Sequence, residues 1–260
     1  MKPLFSIITP TYRRVENLKL LYKHLLSQKK INLVEWVIVV EKDDSVSTQF
    51  LKKIKIKKKI VKNVGGLQNA FKNGAKKASG EYISFLGDDD YLRKDIFLIL
   101  LEKIKKKNPI WIIGYGCYVN VKKKKIRKNI TKIKNFLLNN FNNITLLLVD
   151  YVMTPSSFCK KKYLEKVGFF RNTSWYGNDY ICWIQLSKLI KPLIIRKTLS
   201  FASYSESTHS GSFNYKRFIS LYVNLSKESN NFLVKILQFI IVLYILFHNL
   251  VIKKILKYNF

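Results

Sequence analysis

Three adjacent aspartates, Asp88, Asp89 and Asp90, are the residues of this sequence whose type and spacing point most directly to chemistry. Their like charges repel one another unless a cation or strong hydrogen bonds compensate. Magnesium and manganese take oxygen ligands and commonly bridge a protein carboxylate to substrate phosphates. An Asx turn or a helix N-cap would use one aspartate, but hardly three. We therefore expect a divalent metal and a diphosphate at this triplet.

Other cofactor and hydrolytic motifs are missing from the sequence. It contains no G-x-x-x-x-G-K-[ST] loop and no H-E-x-x-H, and a bare Gly114-x-Gly116 stands in place of a dinucleotide fingerprint. None of the three histidines, His24, His209 and His248, is accompanied by a G-x-S-x-G elbow, which argues against a serine triad. Carboxylates remain the best candidates for catalysis.

The charge of the chain raises a second class of function. The formal net charge is +32, from 48 Lys and Arg against 16 Asp and Glu, and such an excess attracts polyanions or an anionic membrane. A basic nucleic-acid-binding protein is therefore the first rival. Only seven of the basic residues are Arg, however, and base readout and phosphate clamping favour Arg. Much of the Lys content also fits a bias toward A/T-rich codons, so we expect nucleic acid not to be the partner.

Cysteine usage and the first residues indicate a compartment. The three cysteines, Cys117, Cys159 and Cys182, form no C-x-x-C pair and suggest neither a disulfide framework nor a zinc site. Met1 is followed almost at once by a strand-like run from Leu4, which leaves no room for a secretory leader. We expect a cytoplasmic protein.

The apolar patterns predict a layered α/β domain around the triplet. Short apolar runs predict strands and periodic segments predict helices, and the two alternate through the first half. The predicted strands are 4–8, 34–40, 54–61, 82–86 and 193–203, and the predicted helices are 17–27, 68–78, 94–107, 161–167, 179–189 and the region from 215 onward. The triplet then follows the carboxyl end of a buried strand, where open α/β sheets bind ligands. The Lys- and Asn-rich interval 121–145 is predicted to be a surface insertion.

Several motifs in the same order resemble family 2 glycosyltransferases of the GT-A fold. Ser6–Arg14 (SIITPTYRR) is similar to the family's opening strand and nucleotide-binding turn, and 66–83 to the helix and strand that precede its D-x-D motif. Residues 154–170 are similar to its acceptor-side segment, and Asn178-Asp179-Tyr180 with Trp183 resembles its E-D-Y-x-x-W helix start. The resemblance covers roughly residues 4 to 211.

The resemblance implies a fold and a domain division. The fold is α/β, a GT-A type sandwich with a mixed, mainly parallel sheet flanked by helices, plus a C-terminal helical tail. Residues 1–214 would form the catalytic domain and 215–260 a basic and apolar tail. The implied activity is inverting transfer of a hexose-type sugar from a nucleotide-diphosphate donor, with UDP favoured. The acceptor would be a glycan or a lipid-linked glycan in surface polysaccharide synthesis.

The resemblance also implies the site residues. Donor contacts carry over to Thr9, Pro10, Thr11, Tyr12, Arg14, Glu41, Lys72, Asp88 and Asp89. Mn²⁺ or Mg²⁺ would be held by Asp88, Asp90 and His209, although an exposed loop histidine is an open alternative for His209. Asp179 takes the place of the general base, and it could also act as a helix N-cap.

Three departures from the family pattern leave alternatives open. Glu41 stands where the family has an aspartate pair, with Asp43 and Asp44 nearby. Lys72 is the nearest replacement for a missing arginine, and Asn178 replaces the acid before the base. A catalytically degenerate relative is therefore one alternative. A nucleotidyltransferase is another, but it should have a glycine-rich basic loop near the N-terminus, which is absent.

The apolar segment 236–252 near the end of the chain is flanked by lysines and could interact with a membrane. It is short for a spanning helix, which needs about 20 apolar residues, and Lys flanks suit a helix in the membrane interface. We expect peripheral contact with the anionic inner face of a membrane. Packing in the core or against a partner helix, and a true span, are the alternatives.

Overall fold

The computed structural model describes residues 2–120, 125–169, 177–204 and 215–247. The strands are β1 (Phe5–Thr11), β2 (Val34–Glu41), β3 (Lys58–Asn63), β4 (Tyr82–Phe85), β5 (Tyr91–Leu92), β6 (Trp111–Asn120), β7 (Lys125–Ile126), β8 (Ser157–Lys160) and β9 (Leu193–Ser203). The helices are α1 (Val15–Leu26), α2 (Ser45–Lys53), α3 (Gly66–Lys77), α4 (Ile96–Lys107), α5 (Lys128–Asn139), α6 (Asn143–Leu148), α7 (Lys161–Lys166), α8 (Asn178–Leu189), α9 (Tyr215–Ser226) and α10 (Phe232–Phe247). Short 3₁₀ helices lie at Ile31–Leu33 and Thr154–Ser156.

The described strands form one mixed sheet in the order β3-β2-β1-β4-β8-β6-β9-β5, with β7 paired to β6. The long pairings β1–β2, β2–β3, β1–β4 and β6–β9 are parallel, whereas β5, β7 and β8 pair in antiparallel fashion over two or three residues. The predicted mixed, mainly parallel sheet is therefore confirmed. Because β1 and β4 are parallel neighbours, their carboxyl ends meet at one edge of the sheet.

The sheet is covered on both faces, as its continuous apolar strands require. Alternate residues of β1 enter different clusters: Ile8 packs with residues of α3, α7 and α8, and Ile7 packs with residues of α1, α2 and α4. α3 approaches the sheet closely at Gly74, where an added Cβ would lie 2.5 Å from Ile8 Cγ2. This packing holds the carboxyl ends of β1 and β4 in fixed positions.

The described part of the interval 121–145 is an ordered segment on the surface of the domain. Residues 125–145 contain β7, α5 and the start of α6, and α5 packs against β6. Leu138 and Leu146 are fully buried in the core. Most of α5 is exposed or half-buried, as expected of a surface segment, and Leu138 is the side chain that docks it on the core.

The C-terminal helices α9 and α10 pack against each other, and α10 also contacts α6. Val234, Gln238 and Val242 form the buried stripe of α10, and Gln238 Nε2 donates to the Leu147 carbonyl at 2.9 Å. Among the described helices, none combines the length and apolar character that a membrane crossing requires.

Candidate active site

The aspartate triplet lies where β1 and β4 end side by side. Thr11, the last residue of β1, donates from Oγ1 to Asp88 Oδ2 at 2.8 Å. Asp88 is only 4% exposed. The parallel pairing of the two strands thus brings a hydroxyl and a carboxylate from residues 77 positions apart into direct contact.

Arg14 supplies the positive charge at this edge. Its Nη1 lies 2.8 Å from Asp88 Oδ1 and its Nη2 lies 2.8 Å from Asp89 Oδ2. Asn17, with its amide oxygen turned toward the guanidinium, accepts from Arg14 Nη2 at 2.7 Å. One arginine therefore bridges two of the three aspartates and is itself held by the first turn of α1. Asn17 was missed in the sequence, where a lone amide in a helix gives no signal.

Asp90, which follows β4, is hydrogen-bonded to the end of β9. Its Oδ1 accepts from the backbone N of Ser203 at 2.9 Å, and its Oδ2 accepts from the backbone N of Gly87 at 3.2 Å. The Ser203 hydroxyl also donates to the Asp89 carbonyl. The end of β9 thus fixes the triplet's backbone, and nothing in the sequence near Ser203 marked it for this role.

Burial makes ionisation of Asp88 and Asp90 costly. It raises the pKa of Asp88, although Arg14 and Thr11 act in the opposite direction. Burial, followed by the neighbouring charge of Asp89, raises the pKa of Asp90 to about 7, against the lowering effect of two backbone N–H groups. Carboxylates held in this state favour a cation, because a positive charge stabilises their ionised form.

The carboxylate oxygens of the triplet are the kind of ligand that hard divalent cations take next to phosphates. Magnesium commonly takes one or two protein carboxylates and obtains its other ligands from water and substrate phosphates. Asp88 and Asp90 offer carboxylate oxygens at one edge of the sheet. Within the described ranges, no group of three or more His, Cys, Asp and Glu side chains is arranged to hold a metal. His209 lies outside the described residues.

The nucleotide side of the predicted site is built from the turn after β1 and the loop after β2. Tyr12 is 46% exposed and donates from its hydroxyl to Asp43 Oδ2 at 2.9 Å, a bond that lowers the pKa of Asp43. Arg13 pairs with the same carboxylate at 2.9 Å. Asp44 instead accepts from the backbone N of Ser47 and caps α2. Asp43 is therefore the acid beside the exposed tyrosine.

The remaining predicted donor residues are less closely gathered. Thr9 is fully buried and accepts from Trp36 Nε1 at 2.9 Å, so its side chain lies inside the domain. Pro10 is half-buried in β1. Glu41 accepts from Asn63 Nδ2 at 2.6 Å, and Lys72 is half-buried on α3. The structure thus brings Thr11, Arg14 and the triplet together, with Tyr12 close by in the chain.

Asp179 lies in the first turn of α8. Its Oδ2 accepts from Thr154 Oγ1 at 2.6 Å, and its Oδ1 accepts from the backbone N of Tyr180 at 3.0 Å. The helix begins after Gly177, which has a φ of +74°, a conformation that glycine adopts without strain. Trp183 Nε1 also reaches Thr154, at 3.4 Å. The carboxylate is thus partly exposed and oriented by a hydroxyl.

The fold and this acidic edge define an α/β protein of the GT-A class. A GT-A protein solved in a complex with UDP, TarS of S. aureus (residues 1–349), has the same fold, with a TM-score of 0.68 at 18% identity over 100% of this chain and 76% of that one. The mannosyltransferase PcManGT of Pyrobaculum calidifontis, solved with GDP-Man and Mn²⁺, gives a TM-score of 0.60 at 12% identity, over 88% and 63% of the two chains.

Sequence comparison places the chain in a family. The profile described as glycosyl transferase family 2 matches residues 6–168, and the chain belongs to this family. The chain is also 29% identical over 198 residues to the GalNAc(5)-diNAcBac-PP-undecaprenol beta-1,3-glucosyltransferase of Campylobacter jejuni. That match covers 72% of this chain and spans 60% of the relative's length.

Proposed function

We propose that the protein transfers a sugar from a nucleotide-diphosphate donor, a UDP-sugar in the first instance, to a lipid-linked glycan with inversion at the anomeric carbon. The observation that carries the proposal is the edge where Thr11 and Arg14 contact the acidic triplet. A buried acidic cluster beside an arginine suits a diphosphate that arrives with a divalent cation. Family membership and the GT-A fold support the same reaction.

On the donor side, Asp88 and Asp90 would hold Mn²⁺ or Mg²⁺. When bound, the cation would neutralise charge on the departing diphosphate. The Arg14 side chain, at the N-cap of α1, is 46% exposed and would turn from the carboxylates toward a phosphate oxygen. Tyr12 is exposed and would offer its aromatic face to the base and ribose, and the neighbouring Asp43 would offer a carboxylate. His209 would be a further metal ligand.

On the acceptor side, Asp179 would act as the general base. It would remove the proton from the acceptor hydroxyl as that oxygen bonds to the anomeric carbon and the bond to the diphosphate breaks. Thr154 occupies one lone pair of Oδ2 and the Tyr180 N–H occupies Oδ1, so the remaining Oδ2 lone pair is available to a substrate. A base fixed in this way favours one approach direction, as inversion requires.

The choice of UDP is supported by fold likeness. TarS was solved with UDP, whereas the Pyrobaculum protein of the same fold was solved with GDP-Man. Here Glu41 is hydrogen-bonded to Asn63, which leaves Asp43 as the acid nearest to Tyr12. We infer that Asp43 takes over the base contact, with the ring of Tyr12 beside it.

The acceptor is inferred to lie at a membrane. The Campylobacter relative is named for an undecaprenol-linked substrate. In this chain α10 buries the polar Gln238 and exposes a set of large apolar side chains, namely Phe232, Leu233, Ile236, Leu237, Phe239, Ile240, Leu243, Tyr244 and Phe247. This exposed apolar face, in a chain whose net charge is +32, suits insertion into the surface of an anionic bilayer. We place the protein at the cytoplasmic face, with residues 215–260 as its contact.

The test of function is turnover with a panel of UDP- and GDP-sugars and a polyprenyl-diphosphate-linked oligosaccharide, in the presence of Mn²⁺. Release of UDP with a product of inverted anomeric configuration is expected, and Asp179→Asn should abolish transfer while donor binding persists. Asp95→Asn, at the N-cap of α4 where the carboxylate pairs with Arg93, is the matched control. Turnover that survives in Asp179→Asn, or retained configuration by NMR, would contradict the mechanism.

The membrane contact has a separate test. The double variant Leu233→Glu, Ile240→Glu places two charges on the exposed face of α10 and should release the protein from vesicles containing phosphatidylglycerol. Val64→Glu, at a residue that is 64% exposed elsewhere on the surface, is the control and should still float with the vesicles. Equal flotation of both variants would refute α10 as the contact.

A further inference from the structure

The helix α5 turns polar side chains toward the sheet and apolar side chains toward solvent. Asn135 contacts the backbone N and O of Gly116 in β6 through its two amide atoms, each at 3.4 Å. Lys134 Nζ donates to the Tyr118 hydroxyl of β6 at 3.0 Å. Leu138 is the apolar side chain that α5 buries fully. A helix on the surface of a domain in water normally does the reverse, with an apolar stripe on the core and polar residues outward.

Three large apolar side chains form the outer face of α5, namely Ile130, Ile133 and Phe136. They are 40%, 58% and 66% exposed, respectively. Residues three positions apart are neighbours on a helix, so the three side chains form a row. Single exposed apolar side chains are ordinary on protein surfaces. A row of them on a helix whose polar side chains face the protein indicates that an apolar partner covers the row.

The charges around the outer face of α5 select the kind of partner. Lys128 and Lys132 are exposed on the same helix, and the sequence from 126 to 149 contains no Asp or Glu. Two copies of the chain joined through this face would bring like charges together, at a net charge of +32 each. An anionic bilayer surface instead attracts the lysines and takes up the apolar side chains.

The position of α5 connects the site with the helix α10. Val119 of β6 pairs with Ser203 of β9, whose backbone N donates to Asp90. Arg127, at the start of α5, places its guanidinium carbon 4.1 Å from the centre of the Tyr204 ring, one residue beyond Ser203. At its other end, α5 leads through residues 140–142 into α6, which contacts α10. The start of α5 thus lies beside the strand end that fixes the acidic triplet.

We propose that the outer face of α5 inserts into the surface of an anionic bilayer as a second membrane contact, and that it holds this edge of the site at the bilayer together with α10. The inference rests on the proposed membrane location of the acceptor. A single lipid chain would require a concave groove, whereas an outward helix face suits a broad bilayer surface. Two contacts on one chain reinforce each other, because the first keeps the second at high effective concentration.

The first test places a thiol-reactive NBD fluorophore on the outer face of α5 in Phe136→Cys. The native cysteines at 117, 159 and 182 are buried, so the label attaches to the introduced thiol. Phosphatidylglycerol vesicles should increase the NBD emission and shift it to the blue. Val64→Cys, at a 64% exposed residue that follows the edge strand β3, is the control and should keep its aqueous emission.

The outcomes separate this inference from the other proposals. If the full chain floats with the vesicles while the label at 136 keeps its aqueous emission, the α10 contact stands and the inference about α5 is overturned. If the chain does not float, both membrane contacts fail. A blue shift that grows with protein concentration without vesicles would identify a second copy as the partner and would also overturn it. None of these readouts requires sugar transfer, so a chain without transferase activity still decides the matter.

The second test removes the apolar character of the outer face. Ile133→Glu, Phe136→Glu should weaken binding to phosphatidylglycerol vesicles by about tenfold or more, because two large apolar side chains are lost from the contact. Its thermal unfolding midpoint should stay unchanged, since both positions are exposed. Val46→Glu, Val64→Glu makes the same change of charge at two exposed apolar residues and is the matched control. Equal weakening in the two double variants would show that net charge alone governs binding and would overturn the proposal.

Discussion

Arg14 stabilises a buried acidic edge, and Arg14→Met is the substitution that tests this most sharply. The guanidinium contacts Asp88 and Asp89 at 2.8 Å each, and Met keeps much of the apolar stem while removing the charge. The adjacent Arg13 provides a matched control. Its partner is Asp43, and the two side chains are 65% and 55% exposed.

The size of the effect follows from burial. Removing one partner of a buried ion pair costs about 3 to 5 kcal/mol, whereas exposed pairs contribute about 0.2 to 1 kcal/mol. The Asp88 side chain is 2% exposed and that of Arg14 is 46% exposed, so the pair lies between these limits. We expect Arg14→Met to lower the free energy of unfolding by about 2 kcal/mol at neutral pH. Arg13→Met should cause no measurable change.

Urea unfolding followed by tryptophan fluorescence measures both variants, since Trp36, Trp111 and Trp183 are buried. If the triplet is a cation site, millimolar Mn²⁺ should recover much of the loss in Arg14→Met by replacing the missing positive charge. Equal stability of the two variants, or an Arg14→Met loss that Mn²⁺ leaves unchanged, would refute this reasoning about the acidic edge.

Three further predictions concern the hydrogen bonds and backbone geometry of the domain. Burial acts to raise the pKa of Glu35, but hydrogen bonds from Ser and Lys side chains and from a backbone N–H outweigh it and lower that pKa. The stability that Glu35 contributes is therefore complete above the unfolded pKa near 4.5 and is lost as the pH falls through the lower folded value. Glu35→Gln should cost about 1 to 3 kcal/mol at neutral pH, and its free energy of unfolding, measured with urea, should fall less steeply in acid than that of the unchanged protein. Thr154→Val removes the 2.6 Å bond that orients Asp179 and should lower kcat with little change in donor KM in steady-state assays. Gly177→Ala forces a side chain to φ +74° and places Cβ 2.5 Å from Leu221 Cδ1, so thermal unfolding should occur at a lower temperature, and an unchanged midpoint would contradict that clash.

The sequence was informative where local pattern determines position. The β-branched run of β2 and the apolar β4 predict buried strands, and the carboxyl-edge rule then places the triplet correctly beside the end of β1. The contacts that complete the site depend on long-range packing. Ser203 meets Asp90 across 113 positions, and this contact requires the final placement of β9 in the sheet. No local sequence pattern predicts a contact between residues so far apart in the chain.

The burial of side chains on α5 could not be predicted from the sequence for a different reason. Its sequence is rich in Lys and Asn, and Leu138 is its one fully buried apolar side chain among those the structure describes. A lysine in such a segment is usually solvated, so composition favours a surface interpretation of Lys134. Its burial becomes evident only when β6 and the loop after α6 bring Tyr118 and Asp150 against it.

The most direct test of the central claim is Mn²⁺-dependent protection of the protein against thermal unfolding by UDP. A ligand of the native state at about 100 times its Kd adds about 2.7 kcal/mol, which corresponds to about 5 to 10 °C for a domain of this size. We predict such a shift for UDP with Mn²⁺ in the unchanged protein and in Asp95→Asn, and its loss in Asp88→Asn. Protection by no nucleoside diphosphate in a folded sample, or a shift that persists in Asp88→Asn, would contradict the assignment of the triplet as the donor site.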